Sequence, residues 1–380
     1  MTIQHPTKIT HVIVGLDVGG AERFLFRLVD AHKNNPNFEH RVISLTTKGV
    51  LGPGLEQMDV PVTALGMRSI ADTPKVYFRL VDALRANKPD VLQCWMYYAD
   101  LLGGLAGRRL GMKTILWGIR NSHFESGGTR LKRLIRKVCA WLSHLLPSSI
   151  VCVAESARTV HADAGYDSTR MQVIHNGYDP QAFQYSDTAR QALRRALNLP
   201  DDAIVVGSVG RYSAAKDHAS FVRAAAVAGR EERNAYFLLV GRDLTAANET
   251  LVQLIAATGF PERFLLLGER ADIAACMSAM DVFCLHSLTE GFPNVLGEAM
   301  CVGLPCVTTD VGDASVLLGT TGLVVQKNSV PELASGLLRM LRTPGSDREK
   351  LGARARQRIE ENFTLAHAVD KFEMLYRPQA

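Results

Sequence analysis

Short runs rich in Val, Ile and Leu recur along this chain, each followed by a longer stretch whose apolar residues fall at helical spacing. Runs at 10–14, 41–45, 60–65, 91–95, 114–117, 150–153 and 173–175 predict seven strands in the first half. Runs at 204–209, 236–240, 264–267, 282–285, 306–308 and 323–325 predict six more. Between them the period predicts helices such as 21–32, 75–86, 99–109 and 155–164. The strand runs are apolar almost throughout instead of alternating, which predicts parallel sheets covered by helices on both faces. Domains built this way bind ligands at the carboxyl ends of their strands.

The turn cluster Asn176-Gly177-Tyr178-Asp179-Pro180, followed by a polar helical stretch at 187–196, marks a boundary between the two halves. The predicted division is an α/β Rossmann-like domain at 1–178, a connector at 179–199, a second Rossmann-like domain at 200–362 and a final helix within 363–380. That helix, 365–376, is the second of a closing pair with 346–362. No period of 20–50 residues repeats. A length of 380 residues suits two domains with full cores, and 47% hydrophobic with 21% charged residues is ordinary globular composition. A net charge of +5 is too mild to argue for nucleic acid as a partner. Seven cysteines without a C-x-x-C pair predict free thiols in a reducing compartment. No run approaches the roughly 18 apolar residues of a membrane span. Residues 1–10 lack the apolar core of a signal peptide, so a cytoplasmic location is expected.

The densest chemistry lies in Ser287-Leu288-Thr289-Glu290-Gly291-Phe292-Pro293-Asn294-Val295-Leu296-Gly297-Glu298-Ala299-Met300. This segment joins the strand at 282–285 to a helix at 294–301, so Gly291 and Pro293 lie in a strand-to-helix turn whose amides can meet an anion. Glu290 stands at the lip of the turn and Glu298 about one turn into the helix. An acid at a helix start also serves simply to complement the dipole. That reading explains neither the Gly-Phe-Pro turn nor the second acid. Earlier, Gly210-Arg211-Tyr212-Ser213-Ala214-Ala215-Lys216-Asp217-His218 follows the strand at 204–209 and places Arg211 and Lys216 at its carboxyl end. A planar fork and a compact charge there suit a diphosphate, the alternative being two surface cations.

The first of these segments resembles the Glu-x7-Glu signature of retaining glycosyltransferases of family 4, down to the intervening Gly-Phe-Pro-Asn and the following Ala-Met. The resemblance implies the GT-B fold: two facing Rossmann-like domains with parallel sheets and a C-terminal helix that crosses back to the first. It also implies a retaining transferase of hexosyl type, moving a sugar from a nucleotide-diphosphate-sugar to an acceptor hydroxyl. The expected acceptor is a lipid-linked saccharide of surface polysaccharide or lipopolysaccharide biosynthesis. In that family the first domain binds the acceptor and the second the nucleotide sugar. Carried over, Glu290 lies beside the transferred sugar, Glu298 holds the ribose, and Arg211 and Lys216 stabilise the leaving diphosphate. Gly291, Phe292, Pro293, Asn294 and Val295 line the donor.

Gly19-Gly20-Ala21-Glu22 resembles the family's first-domain glycine loop, which gives Gly19 and Gly20 a place near the donor phosphates. As a dinucleotide fingerprint, Gly15, Gly19 and Gly20 miss the G-x-G-x-x-G spacing, which disfavours a nicotinamide enzyme. Leu267-Gly268-Glu269-Arg270-Ala271-Asp272-Ile273 matches the segment along the nucleobase and adds Arg270 to the donor side. Residues 173–179 resemble the hinge-side loop, where His175 also reads as an ordinary loop histidine. The chain departs from the family after the strand at 114–117, where many members carry a histidine. Here Arg120, Asn121 and His123 are the candidates for the residue facing sugar or acceptor, and no general base is assigned among them.

No D-x-D occurs and no cluster has metal-ligand spacing, so no metal and no other cofactor is expected. The helix over Arg130–Leu142 puts Leu131, Leu134, Ile135, Val138, Trp141 and Leu142 on one stripe, beside Arg130, Lys132, Arg133, Arg136 and Lys137 and no acid. It reads either as a peripheral contact with an anionic membrane surface or as a core helix with a solvated basic face. Two other functions are compatible with the same fold. A non-catalytic GT-B binding or assembly partner need not keep Arg211, Lys216, Glu290 and Glu298 together. A nucleotide-sugar epimerase on the same fold uses a different constellation from the Glu290–Glu298 segment.

Overall fold

A computed structural model describes residues 5–122 and 130–377. The chain divides into two compact units, Met1–Asn176 with Leu365–Ala380, and Gly177–Thr364. The first unit holds strands β1 (Thr7–Ile13), β2 (Phe38–Ser44), β3 (Val62–Ala64), β4 (Val91–Trp95), β5 (Thr114–Ile119), β6 (Ser149–Cys152) and β7 (Met171–Val173). They pair in parallel in the order β3-β2-β1-β4-β5-β6-β7. The second unit holds β8 (Ile204–Val209), β9 (Ala235–Val240), β10 (Phe264–Gly268), β11 (Val282–Leu285), β12 (Cys306–Thr309) and β13 (Leu323–Val325), in the order β10-β9-β8-β11-β12-β13. Every apolar run read from the sequence carries a strand. The edge strand β7 lies two residues earlier than expected, because its ladder is set by β6, which pairs with Met171 to Val173. Strand order reverses between β1 and β4 and between β8 and β11, the switch points where doubly wound sheets open a crevice at their carboxyl ends.

The helix Leu365–Tyr376 belongs to the first unit. Its buried face, Ala368, Val369, Phe372 and Tyr376, joins the cluster around Phe24 and Trp95. Beside it runs a line of buried histidines. The indole N–H of Trp95 donates to Nδ1 of His11 at 3.2 Å, and Nε2 of His11 lies 2.9 Å from Nδ1 of His40. Nε2 of His40 lies 2.9 Å from Nδ1 of His32, whose Nε2 faces Oε1 of Glu373 on the C-terminal helix at 3.4 Å. An indole nitrogen only donates, so each ring along the line accepts at Nδ1 and carries its proton on Nε2. All three rings are neutral. Burial holds His40 at a pKa of about 3 and His11 well below 6.5, and lowers His32 against the opposing pull of Glu373. The ring of Tyr376 packs edge-on against all three.

In the second unit the helix Asp187–Ala196 is clamped rather than free-running. Arg190 Nη2 and Arg194 Nη1 reach the two carboxylate oxygens of Asp281 at 2.6 and 3.1 Å, and Asp281 also accepts the backbone N–H of Val205 at 2.7 Å. This ties the helix Asp187–Ala196 to the start of β8 and β11. The basic helix Arg130–Leu142 in the first unit buries Cys139 and Ala140, small residues that let it pack closely. Its predicted apolar stripe is divided by that packing. Leu131, Ile135, Val138 and Leu142 are half-buried, while Leu134 and Trp141 stand 57% and 67% exposed on the side that carries Arg130, Arg133 and Lys137.

Candidate functional site at the strand ends of the second unit

β8 and β11 are neighbours, and the loops leaving their carboxyl ends bring two of the predicted charges, Lys216 and Glu290, together. After β8 the chain makes a short 3-10 turn, Ala214–Lys216, and enters the helix His218–Glu231. After β11 it runs through Glu290 to Pro293 into the helix Asn294–Val302. Nζ of Lys216 meets Oε1 of Glu290 at 2.6 Å, and the hydroxyl of Ser287 donates to the same oxygen at 2.6 Å. Both charged side chains are largely buried, at 21% and 15% exposure, so removing either leaves the other poorly solvated. Arg211 is exposed at the mouth of the β8 loop, and Glu298 lies half-buried within the β11 helix. Pro293 caps that helix without offering a side-chain acceptor, so its first turn keeps the positive end of the helix dipole.

Several residues that sequence reading passed over build this turn. Gly312, after β12, has φ +54, and a Cβ there would come 2.2 Å from the carbonyl oxygen of Gly291. With only hydrogen in that place, the N–H of Asp313 donates to the Gly291 carbonyl at 3.0 Å. The hydroxyl of Thr309 at the end of β12 donates to the Ser287 carbonyl at 2.7 Å. Tyr178 lies flat on the β11 helix at Gly297, where a Cβ would stand 2.1 Å from its ring. Its hydroxyl donates to the Pro293 carbonyl at 3.3 Å. Phe292 is buried at 6% exposure, with its ring 5.9 Å from Tyr178 and 6.0 Å from Phe363. The turn therefore offers its backbone, not its aromatic ring, at the strand ends. The usable signal for Ser287 and Thr309 was polar side chains closing otherwise apolar strand runs.

The remaining donor-side candidates are spread more widely. Arg270 follows β10 and forms a two-pronged ion pair with Asp272, at 2.8 and 2.6 Å. Gly19 and Gly20 belong to the first unit, where Gly19 caps the helix Gly20–Ala31 beyond the end of β1. At the end of β5, also in the first unit, Arg120 stacks its guanidinium 4.3 Å above the ring of Phe24 and donates to the side chain of Asn176. Burial and the nearby Arg27 lower its pKa to about 9, and its Nη1 is buried with no hydrogen-bond partner. Asn121 meets the hydroxyl of Tyr97 at 2.8 Å, and that hydroxyl lies 2.6 Å from Nε2 of His161. Tyr97 follows Met96, a non-glycine residue at φ +72. His123 lies outside the described residues. Among the described residues no group of three His, Cys, Asp or Glu is placed to hold a metal ion, and the cysteines are unpaired.

Comparison with known proteins covers both units. Residues 203–343 match the sequence model of "Glycosyl transferases group 1", and residues 18–182 match that of "Glycosyltransferase Family 4". The chain is 25% identical over 322 residues to the UDP-Gal:alpha-D-GlcNAc-diphosphoundecaprenol alpha-1,3-galactosyltransferase of Escherichia coli, covering 83% of this chain and 82% of that one. It is 32% identical over 240 residues to the D-inositol 3-phosphate glycosyltransferase of Mycobacterium tuberculosis, of which it spans about half (48%). Among solved structures, Anabaena HepE in complex with UDP superposes with a TM-score of 0.85 at 21% identity, over 97% of this chain and 99% of that one. A glycosyltransferase from Rickettsia africae superposes with a TM-score of 0.83 at 17% identity, over 98% of both chains. At these identities the likeness is one of fold.

Proposed function

Because the chain belongs to glycosyltransferase family 4, we propose that it moves a hexosyl group, with retention of configuration, from a nucleoside-diphosphate sugar to a hydroxyl of a lipid-linked saccharide. The observation that carries this reading is the convergence of Lys216, Glu290 and Ser287 at the β8–β11 switch point, beside an exposed Arg211 and a helix N-terminus. A sugar diphosphate leaving group develops negative charge as its bond to the anomeric carbon breaks. Preorganised cations and backbone amides at that position stabilise it, an effect worth about 2.7–4 kcal/mol for a single donor in comparable sites. Arg211 and Lys216 supply the cations, and the backbone N–H groups near Gly291 to Asn294, Pro293 excepted, lie at the positive helix end.

Glu290 is oriented by Ser287 and Lys216, and in our reading it positions the donor sugar. Glu298, one turn along the helix, binds the ribose hydroxyls. Arg270 lies along the base, and Gly19 and Gly20 keep the donor-phosphate role that the resemblance assigns. Asn121, tied to Tyr97, and Arg120, with its unused Nη1, stand on the sugar or acceptor side. UDP is the favoured nucleotide, since the E. coli relative is named for UDP-Gal and HepE was crystallised with UDP. Charge neutralisation by Arg211 and Lys216 makes transfer independent of added divalent metal.

A lipid-linked acceptor asks for access to a membrane surface. The face of Arg130–Leu142 that carries exposed Leu134 and Trp141 among Arg130, Arg133 and Lys137 suits the anionic interface of the membrane's inner side. Among the described residues no helix is long and apolar enough to cross a membrane.

The test is a transfer assay with UDP-hexoses and a lipid-diphosphate-linked N-acetylhexosamine acceptor, in EDTA, with the product's anomeric configuration read by NMR. An α-linked product from an α-linked donor is expected. An inverted product, or transfer restored only by magnesium, contradicts the corresponding part of the reading.

A further inference from the structure

The 3-10 turn that carries Lys216 is closed by its own backbone bonds, Lys216 N–H to Ser213 and Asp217 N–H to Ala214, and is also held from outside. Asp217, its next residue, sits at φ +48, in the left-handed region. That conformation costs most non-glycine residues about 1–2 kcal/mol, and Asp217 lessens it by accepting the N–H of Ser220 with its carboxylate. Two hydrogen bonds from the segment after β11 fix where the turn sits. The N–H of Leu288 donates to the carbonyl of Ala215 at 2.8 Å, and Nδ1 of His286 lies 2.5 Å from the carbonyl oxygen of Lys216.

His286 is buried at 3% exposure, stacked on Phe221 with centroids 4.6 Å apart and met edge-on by His218 at 5.0 Å. Its second nitrogen, Nε2, lies 2.8 Å from the hydroxyl oxygen of Ser208 in β8. A carbonyl oxygen only accepts, so Nδ1 carries the proton and Nε2 accepts from Ser208. Burial, with His218 and Lys216 nearby, holds the ring neutral, its pKa well below 6.5. One side chain therefore ties β8, through Ser208, to the backbone of the residue whose ammonium reaches Glu290.

We propose that His286 is a positioning residue for the diphosphate clamp: through the Lys216 carbonyl it fixes the point from which the Lys216 ammonium meets Glu290 and the donor's phosphates. The inference rests on the reading of Lys216 as a diphosphate ligand. It concerns a residue that touches neither donor nor acceptor, so its signature lies in nucleotide affinity rather than in fold stability alone.

The experiment exploits amide geometry. Asn presents its side-chain nitrogen as many bonds from Cα as Nδ1 of histidine, whereas Gln presents its nitrogen where Nε2 stands. Affinity for UDP, GDP and ADP is measured calorimetrically for the wild type, and the tightest binder is then titrated into His286→Asn, His286→Gln and Lys216→Ala. Both His286 variants lose the ring's packing, so their melting temperatures without nucleotide should fall alike. The inference predicts that His286→Asn binds within about threefold of wild type, His286→Gln at least tenfold more weakly, and Lys216→Ala at least as weakly as His286→Gln.

Equal affinities for the two His286 variants, with Lys216→Ala impaired, overturn the positioning role and leave the reading of Lys216 standing. Unimpaired binding by Lys216→Ala, or no binding of any of the three diphosphates by the wild type, overturns that reading and the inference with it. Imidazole nitrogen shifts of the wild-type protein at pH 7 give a check that needs no variant. Protonation of His286 at Nδ1 is expected, and protonation at Nε2 overturns the inference.

Discussion

The strand ends of the two units are built on one plan and used in opposite ways. In the second unit the loops after β8, β11 and β12 are stitched to one another by the Lys216–Glu290 pair and by bonds from Ser287, His286, Leu288 and Thr309, and their charges gather at the switch point. In the first unit the cation at the end of β5 is folded away. Arg120 lies against Phe24 and Asn176, and the neighbouring polar contacts run inward, from Asn121 to Tyr97 to His161. A doubly wound sheet supplies the strand ends in both cases, and what differs is whether the loop charges pair with one another or pack against the core. The second unit gathers opposite charges at its strand ends, and the first turns its cation and polar groups inward.

The largest expected difference is catalytic. Lys216→Ala and Glu290→Gln should each lower kcat/KM by about 10²–10³, the range seen when one preorganised electrostatic group is removed. Asn121→Ala should cost about tenfold or less, chiefly in the acceptor's KM. Equal losses from the two units would erase the contrast.

Packing sharpens it next. Gly297→Ala forces a methyl group into the ring of Tyr178 and should destabilise the second unit by about 1–3 kcal/mol in denaturant unfolding, as overpacking does elsewhere. Gly111→Ala, where nothing lies within 4 Å, serves as the control for crowding, though its φ of +74 carries a strain of its own.

The smallest effect per step is acid sensitivity. His11, His32 and His40 have folded pKa values below the ordinary 6.5, so the unfolded chain binds protons first as pH falls. Their stabilisation is whole above about pH 6.5 and declines towards pH 3, each ring contributing up to about 1.4 kcal/mol per pH unit. Melting temperature should drop between pH 7 and pH 5, and His40→Gln should flatten that slope. A slope unchanged in His40→Gln would remove the histidine line from the account.

Much of this was legible in the sequence because it is written locally. Near-continuous apolar runs mark all thirteen strands of the described residues, and the helices 187–196 and 365–376 fall where the sequence pattern places them. Glu290, Arg211 and Lys216 could be found because a strand run ending in a charged, glycine-bearing turn is a local pattern. What escaped depends on contacts between segments far apart in the chain. The line from Trp95 through three histidines to Glu373 joins residues up to 362 positions apart in sequence, from His11 to Glu373, with no repeating spacing to reveal it. His286 lies just past the apolar run at 282–285 and carries no local signal, since its contact is the Lys216 carbonyl 70 residues earlier. The basic helix shows another limit: a helical wheel shows which residues share a stripe, but Cys139 and Ala140 decide which side is buried.

The central claim is that the second unit binds a nucleoside diphosphate through this constellation, and thermal unfolding in the presence of UDP, GDP or ADP, in EDTA, tests it most directly. A ligand that binds only the folded state must raise the melting temperature. The account predicts a clear rise with one of the three diphosphates in the wild type, UDP being favoured, and the loss of most of that rise in Glu298→Ala. A rise of the same size in Glu298→Ala, or none in a well-folded wild-type protein, would contradict it.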